Sequence, residues 1–195
     1  MAAELLNTPW LTDTNYRLRT ASDGTRHGPA AHSSSLDLRK PGAMTNIYDE
    51  LRASHAKQRR LCSSMVRTLA KNSAKRESLF RELRIELAAH AAAEERYLYV
   101  PILMFDMGLN SARHALAEHH DMDELVEDLQ ALDSAGEAWG TKAGELVHKV
   151  RHHLKEEETK FFQVSGKLLS PKQKVRLAKQ YRKDYGRMLV AVAER

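Results

Sequence analysis

An all-α, antiparallel up-down-up-down four-helix bundle is the fold the sequence predicts, with a disordered N-terminal tail and one extra C-terminal helix. Three observations predict it. Apolar residues recur at intervals of three and four through most of residues 44–195, as in helices with one buried face. Gly and Pro fall mainly at the joints between such runs, and no stretch alternates with the period of two that a strand requires. With 195 residues and 42% hydrophobic content, the chain has material for one core and not for two large ones.

Residues 1–43 mix Gly, Pro, Ser, Thr and Asn with scattered charge and no sustained period, the composition of a flexible tail. Met44, a candidate initiator, precedes a helix start that Thr45 or Asn46 caps and whose positive end suits Asp49 and Glu50. The first helix is expected from about Asn46 to Ala70, and the second from about Ala74 to Met104, where Pro101 ends or kinks it. The third begins behind Asn110 and Ser111 and runs to about Leu132, and the fourth spans about Glu137 to Val164. Ser170, Pro171 and Gln173 then form a capping box that opens a basic fifth helix. The domain plan is a tail over 1–43, a four-helix unit over 44–168 and a basic helix over 169–195.

Bulk properties exclude several functions. The single cysteine, Cys62, leaves no disulfide framework or cysteine-rich metal site within one chain, and fits a reducing cytoplasm. The longest mostly apolar stretch, Tyr97 to Leu109, is interrupted by Pro101 and Asp106 and falls short of the roughly 20 residues of a membrane span. The first ten residues lack a signal-peptide pattern, so a cytoplasmic protein with no membrane partner is expected. The net charge is +5, yet residues 171–195 alone carry +6. Basicity therefore belongs to the last helix, which is expected to be a solvated cover for one end of the bundle and not a nucleic-acid surface.

The chemistry lies in an echo. HAAAEE at residues 90–95 and HLKEEE at 153–158 each set a histidine four residues before a glutamate, on one helix face. In the second helix that face runs Phe80, Leu83, Leu87, His90, Glu94, Leu98, and in the fourth Leu146, Val150, His153, Glu157, Phe161, Val164. The polar pairs thus interrupt the apolar stripes themselves. His55 joins Tyr48, Leu51, Cys62, Met65 and Leu69 on the first helix, and His119 joins Leu116, Met122, Val126 and Leu129 on the third. From His55 to His90 is 35 residues and from His119 to His153 is 34, so two helical hairpins carry matching chemistry.

Four imidazoles and two carboxylates cannot be buried without partners, and no Lys or Arg shares those inner positions. Bound cations resolve the conflict. His55, His90, Glu94, His119, His153 and Glu157 suffice for two ions bridged by the glutamates, with iron preferred over manganese or zinc.

A lone His, His-x-x-x-Glu, Glu-His and a second His-x-x-x-Glu, here His55, His90 with Glu94, Glu118-His119, and His153 with Glu157, resemble the hemerythrin-like cation-binding domain over residues 46–165. The resemblance implies a non-heme di-iron centre with an oxo or hydroxo group between the ions. It also implies contact with dioxygen, peroxide or nitric oxide in an oxidative-stress or sensing role. If the protein is an enzyme, peroxide consumption is the expected activity; the alternatives are an iron-binding, storage or sensor protein without turnover, or a metal-free helical interaction module. Oxygen-carrying members have a second histidine four residues along the third helix, where this chain has Asp123, a departure that counts against oxygen carriage and leaves it among the alternatives.

The other candidates read as structural. His148, His152 and Glu156 share a face with charged residues, His120 faces outward, and His27, His32 and His114 stand outside the pattern. Glu95, Glu156 and Glu158 read as surface acids, Asp123 as a solvated acid or an acceptor behind the ligands in preference to an extra ligand, and Tyr48, Tyr97 and Cys62 as core. The pattern carries no signal for an oligomer.

Overall fold

The computed structural model describes residues 45–68 and 73–194; the tail over 1–43, Met44, Leu69 and Ala70 lie outside them. Every regular element is helical: α1 (Ile47–Thr68), α2 (Ser73–Glu94), a π-helical segment π1 (Glu95–Tyr99), α3 (Val100–Leu103), α4 (Asp106–Ala131), α5 (Glu137–Glu156), a second π segment π2 (Glu157–Phe161), α6 (Phe162–Leu168) and α7 (Pro171–Ala193). Elements α2, π1 and α3 run on as one rod, as do α5, π2 and α6. Among the described residues there is no strand, and no helix is long and apolar enough to cross a membrane.

The starts follow from local chemistry. Asn46 Oδ1 accepts from the amides of Tyr48 and Asp49 at 2.9 and 3.3 Å, while Asp49 Oδ2 accepts from the Asn46 amide at 3.0 Å. Amides that a helix start leaves unsatisfied are thereby bonded. At α7, Ser170 Oγ accepts from the Gln173 amide and Gln173 Oε1 accepts from the Ser170 amide, the expected capping box.

Two boundaries differ from expectation. The third long helix opens at Asp106, so Asn110 and Ser111 lie inside it. The break is made instead by Phe105, whose extended backbone (φ −117°, ψ 126°) separates α3 from α4. Gly108 permits that tight joint, because a Cβ there would fall 2.4 Å from Ile102 Cγ2 and 2.7 Å from Ile102 O. Pro101 does not end the second rod, which continues through it to Leu103.

Helix α1 packs against α2 and α5, and α4 against α5. The basic α7 packs across α1 and α2, where expectation had it covering one end. Its Met188 and Val192 meet Ala88, Ala89 and Ala92 of α2, whose small side chains let the two rods approach closely. Large apolar side chains form two layers. One contains Leu51, Leu98, Tyr99, Phe161 and Phe162, and the other Cys62, Met65, Leu87, Met122, Val126 and Val150. Each such side chain contributes roughly 1.5–3 kcal/mol by leaving water. Between the layers lies a band of buried polar residues.

Candidate metal centre

That band contains all six predicted side chains, every one buried. His55, His90, Glu94 and Glu157 form one group, and Glu94, His119 and His153 a second, with donor atoms in each group within 4.8 Å of one another. Glu94 belongs to both. His90 Nε2 lies 3.0 Å from Glu94 Oε2, His55 Nε2 lies 3.2 Å from Glu157 Oε2, and His119 Nε2 lies 3.2 Å from His153 Nε2.

Each imidazole aims Nε2 at this cluster and rests Nδ1 on a partner behind it. His55 Nδ1 meets Glu158 Oε1 at 2.8 Å, His119 Nδ1 meets Glu95 Oε1 at 2.9 Å and His153 Nδ1 meets Glu118 Oε2 at 3.0 Å. His90 Nδ1 meets the Tyr181 hydroxyl at 2.9 Å. A partner at Nδ1 fixes the ring and leaves the Nε2 lone pair facing inward, the arrangement found behind metal-bound histidines.

The inner atoms are left wanting. His55 Nε2, His90 Nε2, Glu94 Oε1 and Glu157 Oε2 are buried with no hydrogen-bond partner. Four such atoms converging on one point are costly, at about 1–3 kcal/mol each, unless something else satisfies them. A nitrogen-and-carboxylate set of this kind fits a divalent or trivalent transition metal.

Electrostatics are correspondingly strained. Burial, reinforced by the Glu157 charge, pushes the Glu94 carboxyl well above the usual range. Burial acts on Glu157 in the same direction, but its contact with His55 outweighs it and holds that carboxyl low. Burial also drives His90 down to about 3, with the neighbouring His55 charge adding to the effect. For His55 and His119 burial acts downward as well, yet the neighbouring carboxylates of Glu157 and Glu158, and of Glu95, overcome it and bring both to about 9.

Several of these residues escaped the sequence reading. Tyr99 projects into the centre: its hydroxyl donates to Glu157 Oε1 at 2.9 Å, with Glu94 Oε2 at 3.2 Å and His119 Nε2 at 3.4 Å. Tyr48 and Tyr97 do not reach it; Tyr48 bonds Ser165 at 3.0 Å within the core. The π segment is the cause. In an i→i+5 helix the residue five beyond Glu94, and not the one four beyond, sits beneath it. By the same offset Phe162 follows Glu157 and stacks on His55 at 5.9 Å.

Glu95 is 6% exposed and Glu158 is partly buried, so neither is simply a surface acid. The doubled Glu-Glu at 94–95 and 157–158 was the available signal. Asp123 is buried, not solvated, and lines a small hollow with Gln58, His90, His119 and His153. His120, His148 and His152 are exposed, as expected. A cavity of about 250 Å³ reaches inward past Asn110, His114 and Lys160 to His153 and Glu157. His114 stands there 3.6 Å from Glu156 and 3.8 Å from Glu118.

The family profile for the hemerythrin HHE cation-binding domain matches residues 46–164 of the chain. A curated protein from Nostoc sp., named DNA nickase, is 26% identical over 137 residues, covering 70% of this chain. The chain spans only 38% of that relative's length. No solved structure shows significant similarity to it.

Proposed function

Because this chain belongs to the hemerythrin HHE cation-binding family, we propose that it holds two iron ions and uses them to meet dioxygen, peroxide or nitric oxide. One ion would be held by His55 and His90 and the other by His119 and His153, with Glu94, common to both groups, and Glu157 as the carboxylates they would share. On this reading α1, α2–α3, α4 and α5–α6 form an up-down-up-down antiparallel bundle over 44–168, and residues 169–195 append a basic helix. The observation that carries the proposal is the set of four buried inner atoms on His55, His90, Glu94 and Glu157 that make no hydrogen bond.

Bound iron supplies one-electron chemistry toward small oxygen and nitrogen species. The chain does the rest. Its histidines are oriented from behind, the two apolar layers exclude water, and Tyr99 presents a hydroxyl beside both glutamates. That phenol keeps its proton, since burial and the Glu157 charge raise it far above the ordinary tyrosine range. The cavity beside His153 and Glu157 gives a small ligand a path inward. A cytoplasmic role in oxidative-stress defence or sensing fits these features and the buried Cys62.

Metal analysis with an absorption spectrum tests the reading. Near-stoichiometric iron and a near-ultraviolet charge-transfer band are expected in the wild type and should be lost in His90→Ala and Glu157→Ala. Protein that stays colourless and metal-free after growth in iron points to an interaction module. Repeated peroxide turnover then separates an enzyme from a sensor or store.

A second reading concerns nucleic acid. Lys172, Arg176, Lys179 and Lys183 recur at helical spacing on the exposed side of α7, and the Nostoc relative is named for acting on DNA. Such a row suits a phosphate backbone. Plasmid nicking that requires iron and weakens on charge reversal of this row is the expected result; its absence at low salt removes the reading.

A further inference from the structure

The two hairpins repeat each other down to the groups behind the ligands. Glu95 follows bridging Glu94 and backs His119 of the opposite hairpin, just as Glu158 follows Glu157 and backs His55. Glu118, the residue before His119, backs His153. Its counterpart before His55 is Ser54, whose hydroxyl is too short to do the same for His90. Tyr181 of α7, beyond the matched domain, fills that place.

The substitution changes the charge behind the ligand. The Tyr181 hydroxyl is a neutral partner, and Ser54, in the place of an acid, gives its own proton to Glu86 Oε1 at 2.7 Å. His90 thus rests on a phenol and not on a carboxylate, and the buried acid that Ser54 bonds is Glu86. That carboxylate is fully buried, accepts from Tyr185 at 2.7 and 2.8 Å and is paired with Lys57. On the same side of the centre, Glu158 behind His55 is engaged by Arg59 at 2.9 Å. Behind His119 and His153, Glu95 and Glu118 make no Lys or Arg ion pair among the described residues, and Glu118 has only the exposed His114 imidazole, at 3.8 Å, beside it. A carboxylate behind an imidazole raises its basicity as a ligand, a neutral phenol does so less, and a cation on the carboxylate offsets the effect.

We infer that Tyr181 is a positioning residue that makes the two metal positions unequal: the His119–His153 position binds its ion more tightly, and the His55–His90 position, completed by α7, is the weaker and more readily exchanged. This rests on the proposed two-ion centre. α7 thereby joins the centre through His90.

Anaerobic titration of the metal-free full chain with cobalt(II), followed by its visible ligand-field bands, tests the ranking. The wild type should bind in two steps at least tenfold apart. Tyr181→Phe should weaken the second step by about tenfold or more and leave the first within twofold. Met188→Ala, which loosens α7 against α2 without touching the Tyr181 hydroxyl, should move neither step beyond twofold. If Tyr181→Phe does not fold by circular dichroism, Glu118→Gln carries the test and must weaken the first step by the same order while the second stands. Two equal wild-type steps overturn the ranking alone, as does loss of the tight step in Tyr181→Phe. Wild-type protein that binds no cobalt overturns the two-ion centre with it.

Discussion

The Nε2 atoms of His119 and His153 stand 3.2 Å apart, buried, on α4 and α5. Two neutral imidazoles facing nitrogen to nitrogen need something between their lone pairs, either a proton or an ion. The metal-free centre supplies the proton: His119 titrates near 9, while burial keeps His153 below the ordinary range.

Metal uptake should therefore release protons. At neutral pH His55 and His119, both near 9, are charged in the metal-free protein, and an ion must displace those protons. Adding iron(II) or zinc(II) to weakly buffered protein at pH 7 should liberate at least about two protons, Glu94 adding to those of the two histidines, and metal affinity should rise as pH climbs toward 9. Stability of the metal-free protein follows the opposite sign. Both groups titrate above their ordinary 6.5, so their contribution is complete below 6.5 and is lost as pH rises through 9. His90, held near 3, acts the other way, its contribution falling away as pH drops from 6.5 toward 3. Urea titrations of chelated protein at pH 6.5 and 9 check the alkaline slope.

Tyr99→Phe should be tolerated by the metal and not by the apo state. Removing the hydroxyl takes a donor from Glu157 Oε1 and leaves that oxygen buried, at a cost of about 1–3 kcal/mol in the metal-free protein. Iron content should stay within error of the wild type, because four histidines and two glutamates remain. Loss of iron in Tyr99→Phe would instead mark the phenol as a ligand.

Gly108→Ala tests the joint between α3 and α4. The added methyl group falls within 2.4 Å of Ile102 Cγ2 and 2.7 Å of its carbonyl oxygen, so the backbone must shift. A destabilisation of about 1–3 kcal/mol is expected from such overpacking, read as a lower urea midpoint at an unchanged m-value. Ala at Gly144 has open space and should be neutral or slightly stabilising.

The sequence revealed what period and charge reveal. The stripes that carry Leu87, His90 and Glu94, or Val150, His153 and Glu157, are inner faces because a 3.6-residue period makes them so, and all six of those side chains are buried. What escaped it depends on departures from that period and on distance along the chain. Tyr99 turns inward only because π1 adds a residue to the turn, which no count by fours detects. Tyr181 meets His90 from 91 residues away, a contact that no local spacing encodes. Asn110 and Ser111 have the chemistry of caps and point to a later start for α4, whereas the chain breaks at Phe105.

Glu94→Gln should separate folding from function by sign. Glu94 is fully buried, its Oε1 has no partner, and burial together with Glu157 drives its carboxyl far above the usual range. Holding such a group without an ion costs stability, because burial makes it keep a proton that the unfolded chain releases, and an amide of the same shape avoids that cost. Metal-free Glu94→Gln should therefore be at least as stable as metal-free wild type, by up to about 1–3 kcal/mol. With iron present the order should reverse. An ion at a hundred times its dissociation constant adds about 2.7 kcal/mol to the wild type and little to the variant, which lacks the shared carboxylate. Thermal midpoints of both proteins with chelator and with iron decide it. A variant less stable in both conditions would show that Glu94 serves the packing of α2 and not an ion.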